Sequence, residues 1–505
     1  MEPVFGIDLG TTNSCVATIG DDGLPVIIRN LDDDNTTPSV VYYEDDGENY
    51  VGKQAKNSMG ADSERTVAFI KREMSNDRYE RYIDGKRINP VDVSALILKK
   101  VLDDANELRS YDGLPPVKKA VVTVPAYFGT KECELTKQAA RIAGIEVLDL
   151  LNEPTAAALN YGVKGLEGKT FMIYDLGGGT FDVSIMRMKN GTLDTISTDG
   201  NHRLGGVDWD ILLLDHALQK AGYDVIYDDI KDERDAGKML LSAELCKKNL
   251  SRSERAILKL NYNRKASNIE ITRSKFEDIT GDLLEQTITI VRNAIKIAKE
   301  PNVKIDEIIL VGGSSYMPMV RNRLTKEFSC PIRLDHLEPD LAVAKGAAIH
   351  AANIANASKD SKVKIGNDLG SRSYGILCTD ENDKDYVSNI IKRTDNLIFE
   401  GTSSFVTRYE GQNAINVSVY ENISVNSRID NVGSCTLIEK KMLSWGFPVP
   451  KGTRMTTHVL RSSDGTVKIW AECQGKRVDF EIKYKGAYTE SEIQQKIQVL
   501  NNKTV

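Results

Sequence analysis

Along the first 357 residues, short apolar runs alternate with stretches whose apolar positions recur every three or four residues. The runs at 119–124 and 307–311 read as buried strands, and the periodic stretches at 131–143, 236–250 and 282–299 read as helices. Strand and helix taking turns in this way predict an α/β domain over residues 1–357. Beyond residue 370 the helical period gives way to two-residue alternation at 414–420, 455–460, 466–473 and 477–484. Asp464-Gly465 and Gln474-Gly475 lie between the last three runs as hairpin turns. Residues 371–487 are therefore expected to form an antiparallel β-sandwich whose first strand is 374–378. Residues 358–370 begin small and charged, as a linker would. Past 487, Glu490, Ile493, Ile497 and Leu500 fall on one helical face behind Thr489 as N-cap. Residues 488–505 are expected to be a helical tail with too little chain to pack on much.

Composition narrows the classes. At 505 residues the chain has room for two to four domains. Its 41% hydrophobic and 28% charged residues exclude a disordered protein, and a net charge of −7 argues against a broad nucleic-acid surface. Seven cysteines, at 15, 133, 246, 330, 378, 435 and 473, form no C-x-x-C pair, which indicates neither a disulfide framework nor a zinc site. No signal-peptide pattern and no membrane-length apolar run are visible. The expectation is a cytoplasmic protein with no membrane and no nucleic-acid partner.

The candidate chemistry begins at FGIDLGTTNSCVA, residues 5–17: a buried strand, Asp8, a turn through Gly10, Thr11, Thr12 and Asn13, and a second strand. Alone, this is equally the pattern of a plain hairpin with a capped aspartate. The stretch FMIYDLGGGTFDVSI, residues 171–185, repeats the design with Asp175, Gly178, Gly179, Thr180 and Asp182. Two such hairpins predict related halves facing across a cleft, each offering N–H groups to a phosphate. Asp8 and Asp175 would together hold Mg²⁺ through its waters. Gly168-Lys169-Thr170 is not a P-loop, because Val163 occupies the first glycine position and the motif precedes its strand. The run 308–315, with Gly313, Ser314 and Ser315 before a helix opening at Pro318, offers backbone to a nucleoside. On the helix 236–250, Glu244, Lys247, Lys248 and Ser251 share a face, which read alone is a solvated surface with an ion pair.

Taken with AVVTVPAYF (120–128), RIAGIEVLDLLNEPTAAALNYG (141–162), DGNHRLGGVDWD (199–210), LVGGSSYMPMVR (310–321) and EPDLAVAKGAAIHAA (338–352), these segments resemble the nucleotide-binding domain of the Hsp70 chaperone family. That family belongs to the actin and sugar-kinase superfamily. The resemblance implies an actin-like, duplicated ribonuclease H-like α/β ATPase domain. The β module resembles the family's peptide-binding sandwich more weakly, chiefly through QNAINVSVYEN at 412–422. The implied function is hydrolysis of ATP to ADP and phosphate, coupled to binding of extended hydrophobic segments of unfolded polypeptides. ATP or ADP with Mg²⁺ are the implied cofactors, with K⁺ as an accessory cation. The implied partners are a J-domain protein and a nucleotide exchange factor. By position, Lys71 matches the lysine that sets the attacking water, a role its own surroundings in the sequence do not reveal. Glu153 and Asp182 match acids near that water, and Thr180 a γ-phosphate contact. Glu244, Lys247, Lys248, Ser251, Gly313, Ser314, Ser315 and Asp340 match the adenosine clamp. The five histidines, at 202, 216, 336, 350 and 458, have no triad or ligand spacing.

The chain departs from the family pattern in ways that bear on function. Tyr316 replaces an arginine stacked on adenine, and its ring can stack in turn. Cys133 and Asp149 replace arginines tied to interdomain signalling, which should weaken docking of an acidic J-domain motif. The linker reads Lys364-Ile365-Gly366-Asn367-Asp368, short of the family's leucines, so its docking should lose most of its drive. No lid follows the tail, so peptide exchange should be fast. Phe405, Ile415 and Ile376 are candidate peptide-groove residues, and equally sandwich core. Two alternatives stand beside the chaperone: a nucleotide-sensing regulator without refolding activity, and a small-molecule kinase of the same superfamily.

Overall fold

The computed structural model describes residues 3–501 except 46, 75, 163–164, 231, 299–302, 334–337, 357–363, 367–368, 397, 463–465, 481–483 and 485. Most of the expected linker and the Asp464-Gly465 turn therefore lie outside the described residues. No helix among the described residues is long and apolar enough to cross a membrane.

The first 356 residues build two large sheets of the same plan. In one, the order is Glu146–Asn152, Lys119–Val124, Phe5–Asp8, Asn13–Ile19, Pro25–Ile28. In the other it is Ile332–Arg333, Glu307–Val311, Thr170–Leu176, Phe181–Lys189, Thr192–Asn201, with Lys364–Ile365 added at the edge. Each sheet runs parallel up to its central strand and antiparallel after it, save for the added edge strand Lys364–Ile365, which is parallel to its neighbour. All seven residues of Thr170–Leu176 are buried, which is why this stretch reads as a continuous apolar run rather than an alternating one. Helices cover the outer faces, among them Pro90–Tyr111 and Thr130–Ile142 on the first sheet and Gly206–Lys220 on the second.

Between the sheets lie two small-residue helices, Glu153–Tyr161 and Ala342–Asn356. Ala156, Ala157, Ala158, Ala347 and Ala351 share a core there with Val121, Phe171, Ile173 and Ile309, drawn from both sheets. The close approach depends on glycine. A methyl group on Gly6 would lie 2.0 Å from the backbone nitrogen of Ala348, and one on Gly346 would lie 1.7 Å from the Ala156 carbonyl oxygen.

The β part comprises two antiparallel sheets over one core. The first runs Arg428–Ile429, Asp385–Ile391, Ser373–Thr379, Gln412–Asn422, Thr436–Val449; the second runs Phe399–Val406, Arg454–Arg461, Val467–Cys473, Lys476–Phe480. Tyr374, Ile376, Val417, Leu443, Trp445, Val459, Ile469 and Phe480 meet between them. The Gln474-Gly475 turn has both residues at positive φ, 49° and 70°, the geometry that suits the twist of a two-residue hairpin.

One expectation is overturned. The tail packs: helix Glu490–Asn501 buries Ile493 and Leu500 in the core of the first sheet, with Ile497, Ala487 and Tyr488 against it. Two aliphatic side chains so buried contribute roughly 3–6 kcal/mol, and Thr489 caps the helix by exchanging bonds with Glu492 at 2.7 and 3.4 Å. The linker also docks. Lys364 and Ile365 pair in parallel with Thr192 and Leu193, Gly366 N–H donates to the Leu193 carbonyl at 2.8 Å, and Ile365 packs on the core between the sheets. A strand added to a sheet edge is held by backbone bonds, which leucine-poor sequence supplies as well as any other.

Replacing Gly346 by alanine tests the close approach. In an exposed helix the change gains about 1 kcal/mol; here the Ala156 carbonyl should reverse the sign and cost about 1–3 kcal/mol. Urea denaturation of the two chains measures the difference.

Candidate functional site

The two hairpins place their acids in matching registers. Asp8 lies opposite Cys15 in the first, and Asp175 opposite Asp182 in the second. Their turns face each other in contact. A methyl group on Gly178 would fall 2.3 Å from the Thr12 side chain, and one on Gly179 would fall 2.2 Å from Thr11 Cγ2. Only bare backbone from one turn fits against the threonines of the other. Gly10 is equally constrained, since a Cβ there would meet the Asn13 carbonyl oxygen at 2.0 Å.

Below the turns lies a buried cluster of charge. The sequence reads Lys71 as a surface lysine, yet it is 6% exposed. Phe69 turns the chain with φ of 58°, and the short helix Ile70–Glu73 carries Ile70 and Lys71 inward. Lys71 Nζ donates to Glu153 Oε1 at 2.5 Å, Glu153 being the first residue of an inter-sheet helix. Burial opposes the lysine's charge, but Glu153, Asp8 and Asp182 outweigh it and hold its pKa above the ordinary value. Burial, and then the charge of Glu153, push Asp8 up to about 7, while Thr123 donates to it at 3.0 Å. The same two causes lift Asp175 and Asp182 well above the usual carboxylate range.

Four carboxylates thus surround one ammonium, and Asp182 Oδ1 and Thr11 Oγ1 are buried with no hydrogen-bond partner among the described residues. This donor set fits a hydrated divalent cation and phosphate oxygens. Among the described residues no three His, Cys, Asp or Glu side chains converge tightly enough to hold a metal by themselves.

A cavity of about 780 Å³ opens above the cluster. Its walls include Asp8, Gly10, Thr11, Thr12, Asn13, Lys71, Glu153, Asp175, Gly178 and Thr180, and, farther out, Glu244, Lys247, Lys248, Ser251, Gly313, Ser314, Tyr316 and Asp340. Gly179, Asp182 and Ser315 stand behind the wall, and Ser315 spends its hydroxyl on the Val311 carbonyl at 2.6 Å. Lys247 is buried and committed to the Gly206 carbonyl at 2.7 Å and to Asp210 at 2.8 Å, whose pKa burial raises to about 6. Glu244 joins Lys248 on its own helix to Lys56 from the other half, both at 2.7 Å. Burial works against the charge of Glu244, but the two lysines draw its pKa down to about 2. Tyr316 is 45% exposed at the rim, with its hydroxyl 3.4 Å from Asp340.

Sequence reasoning did not single out Lys56, Arg72, Asp208 or Asp210. Arg72 crosses the cleft to the Gly179 carbonyl and to Asp208, both at 2.6 Å. Asp208 and Asp210 lie within DGNHRLGGVDWD, where alternate acids beside a glycine pair were the available signal; Lys56 has none. Of the peptide-groove candidates, Ile376 is 2% exposed in the β core, and Phe405 and Ile415 are half-buried against it. Cys133 packs on the first core, and Asp149 Oδ2 lies 2.9 Å from His350 Nε2.

Because the folded pKa of Asp8 lies above its unfolded value, the folded chain binds the extra proton between about pH 4 and 7, and this group's contribution falls as pH rises through that window. Calorimetry in chelator should show stability dropping from about pH 4 to 7 in the wild type and less in Asp8→Asn, which should melt higher at pH 8. Equal slopes would mean that ionising Asp8 costs nothing.

The sequence model of one family, described as Hsp70 protein, matches residues 4–82 and 75–504. With nearly the whole length covered, the chain belongs to the Hsp70 family.

Proposed function

We propose that this chain is an Mg²⁺-dependent ATPase of the Hsp70 type that binds extended apolar polypeptide. On this reading residues 1–357 form the actin-like ATPase domain, 358–370 the linker, 371–487 the peptide-binding sandwich and 488–505 the tail. The observation that carries the proposal is the contact between the two glycine turns directly above Lys71 and its carboxylates.

Backbone N–H groups of Gly10 to Asn13 and Gly178 to Thr180 would grip the β- and γ-phosphates from opposite walls. Asp8 and Asp175 would hold the water shell of Mg²⁺, which when bound neutralises phosphate charge. Lys71 is charged, buried and fixed by Glu153, so it can orient a water beside the γ-phosphate without rearranging. Asp182, behind the wall with an Oδ1 that has no partner among the described residues, would take that water's proton. Positioning and charge account for phosphoryl transfer to water, and no covalent nucleophile is required. The Tyr316 ring and the stem of Lys248 would flank the adenine at the rim, with Asp340 and Ser251 nearby.

A second reading, a nucleotide-sensing regulator with weak peptide binding, draws support from Ile376. Its burial in the β core leaves Phe405 and Ile415 as the groove candidates with any exposed surface.

Single-turnover phosphate release tests the ATPase reading. Lys71→Ala should slow it by about 10²–10³-fold, the usual loss for one preorganised electrostatic group, with ADP affinity by calorimetry little changed. An unaltered rate would remove Lys71 from the mechanism.

A further inference from the structure

The second glycine turn is tied back by its carbonyls. Gly206 N–H donates to the Gly177 carbonyl at 3.0 Å and Val207 N–H to that of Gly178 at 2.8 Å, both from the first turn of the helix Gly206–Lys220. The Gly179 carbonyl is met by a side chain instead, Nε of Arg72 at 2.6 Å, which comes from the other half of the α/β part. In a trans peptide the N–H points opposite to the C=O, so these three anchors turn the N–H groups of Gly178, Gly179 and Thr180 the other way. Gly178 and Thr180 line the cavity. None of the three N–H groups finds a partner among the described residues, which leaves free donors in an otherwise bonded turn.

The first turn is held by neutral groups. Ser39 ties it, with its hydroxyl to the Gly10 carbonyl at 2.8 Å and its N–H to that of Thr12 at 2.9 Å. Arg72 is a cation, and Asp208 fixes it. Asp208 Oδ2 accepts from the guanidinium at 2.6 Å and from Gly205 N–H at 2.7 Å, so one carboxylate serves both the helix start and the arginine. The Arg72 side chain is 13% exposed and forms no part of the cavity wall, so it reaches a ligand there through the turn rather than by contact. A charged donor on a carbonyl draws electron density along the amide and makes the N–H beyond it a stronger donor. The N–H beyond the Gly179 carbonyl is that of Thr180.

We propose that Arg72 is a positioning residue of the phosphate site, a cation that orients and polarises the Gly179–Thr180 peptide so that the Thr180 N–H meets a terminal phosphate oxygen as a strengthened donor. That the oxygen belongs to a nucleotide rests on the ATPase reading above.

The full chain without nucleotide, isotopically labelled at threonine nitrogen, tests the polarisation by magnetic resonance. Losing the charged donor should move the Thr180 amide nitrogen upfield in Arg72→Ala, while threonines of the β part stay in place. Arg72→Lys keeps a charge without the fork and should move it the same way by less. An unmoved Thr180 nitrogen in both variants would overturn the proposal. Calorimetry then reads the ligand. Arg72→Ala should weaken Mg-ATP about tenfold, as loss of one charge-assisted bond does, and leave AMP, which lacks the outer phosphates, within about twofold. Asp208→Asn, which retains an acceptor for Gly205 N–H but not the charge that fixes Arg72, should fall between. Equal losses for AMP and Mg-ATP would make Arg72 a general support of the cleft and overturn its role at the phosphates. A wild-type chain that binds neither nucleotide counts instead against the ATPase reading, and Arg72 is then judged on the Thr180 nitrogen.

Discussion

The structure turns on an imbalance of buried charge. Asp8, Glu153, Asp175 and Asp182 converge on the single ammonium of Lys71. Taking ions out of water costs several kcal/mol each, and one pairing at 2.5 Å does not offset four carboxylates. Raised carboxylate pKa values are the relief available to the protein alone. A bound divalent cation would supply another, and the proposed function follows from that unfilled need. Apolar packing in the same volume would be more stable, so the cluster is a place where the fold gives up stability for chemistry.

Such a cluster requires two walls that approach without filling the gap. The sheets supply the walls, each delivering one aspartate at the end of a buried strand. The glycines supply the approach, because any side chain at Gly178 or Gly179 would enter the space of Thr12 or Thr11. The duplication is unequal where it matters chemically. Cys15 stands in the register position that Asp182 holds in the second hairpin, so a carboxylate occupies that register on one side alone. Lys71 comes from the first half and Asp182 from the second, so the buried charge cluster draws on both halves. Arg72 and Lys56 each cross from the first half to an acid of the second.

Much of this was legible in the chain, for identifiable reasons. The strands 119–124 and 307–311 were readable because both faces are buried and the apolar run is unbroken. The twin hairpins were readable because a repeated turn leaves a repeated sequence. Lys71 was not readable from its neighbours: its burial comes from Phe69's left-handed turn and from Glu153, far along the chain. Lys247 shared a helical face with Glu244 and Lys248, yet it points inward to Asp210, a partner that periodicity cannot supply. Ser315 lay in a plausible nucleoside loop but closes a bond to its own strand. The tail was misjudged because an amphipathic pattern states that a face will be buried without stating against what.

The tail and the linker illustrate how the attachment of the β part divides its labour. The seam itself is polar: Arg372 lies 3.5 Å from Glu132 on one side and 3.4 Å from Glu421 on the other, and Arg393 lies 3.5 Å from Asp199. Burial works against the charge on Arg372, but Glu132 and Glu421 hold it in place. Such pairs fix orientation well and contribute little net stability, since desolvation consumes most of the attraction. Backbone pairing at Lys364–Ile365 likewise fixes register more than it adds free energy. Apolar area enters at Ile365, on the core between the sheets, and at Ile493, Ile497 and Leu500, on the first core. Polar contacts therefore decide how the β part sits, and the terminal helix adds apolar area on the first half.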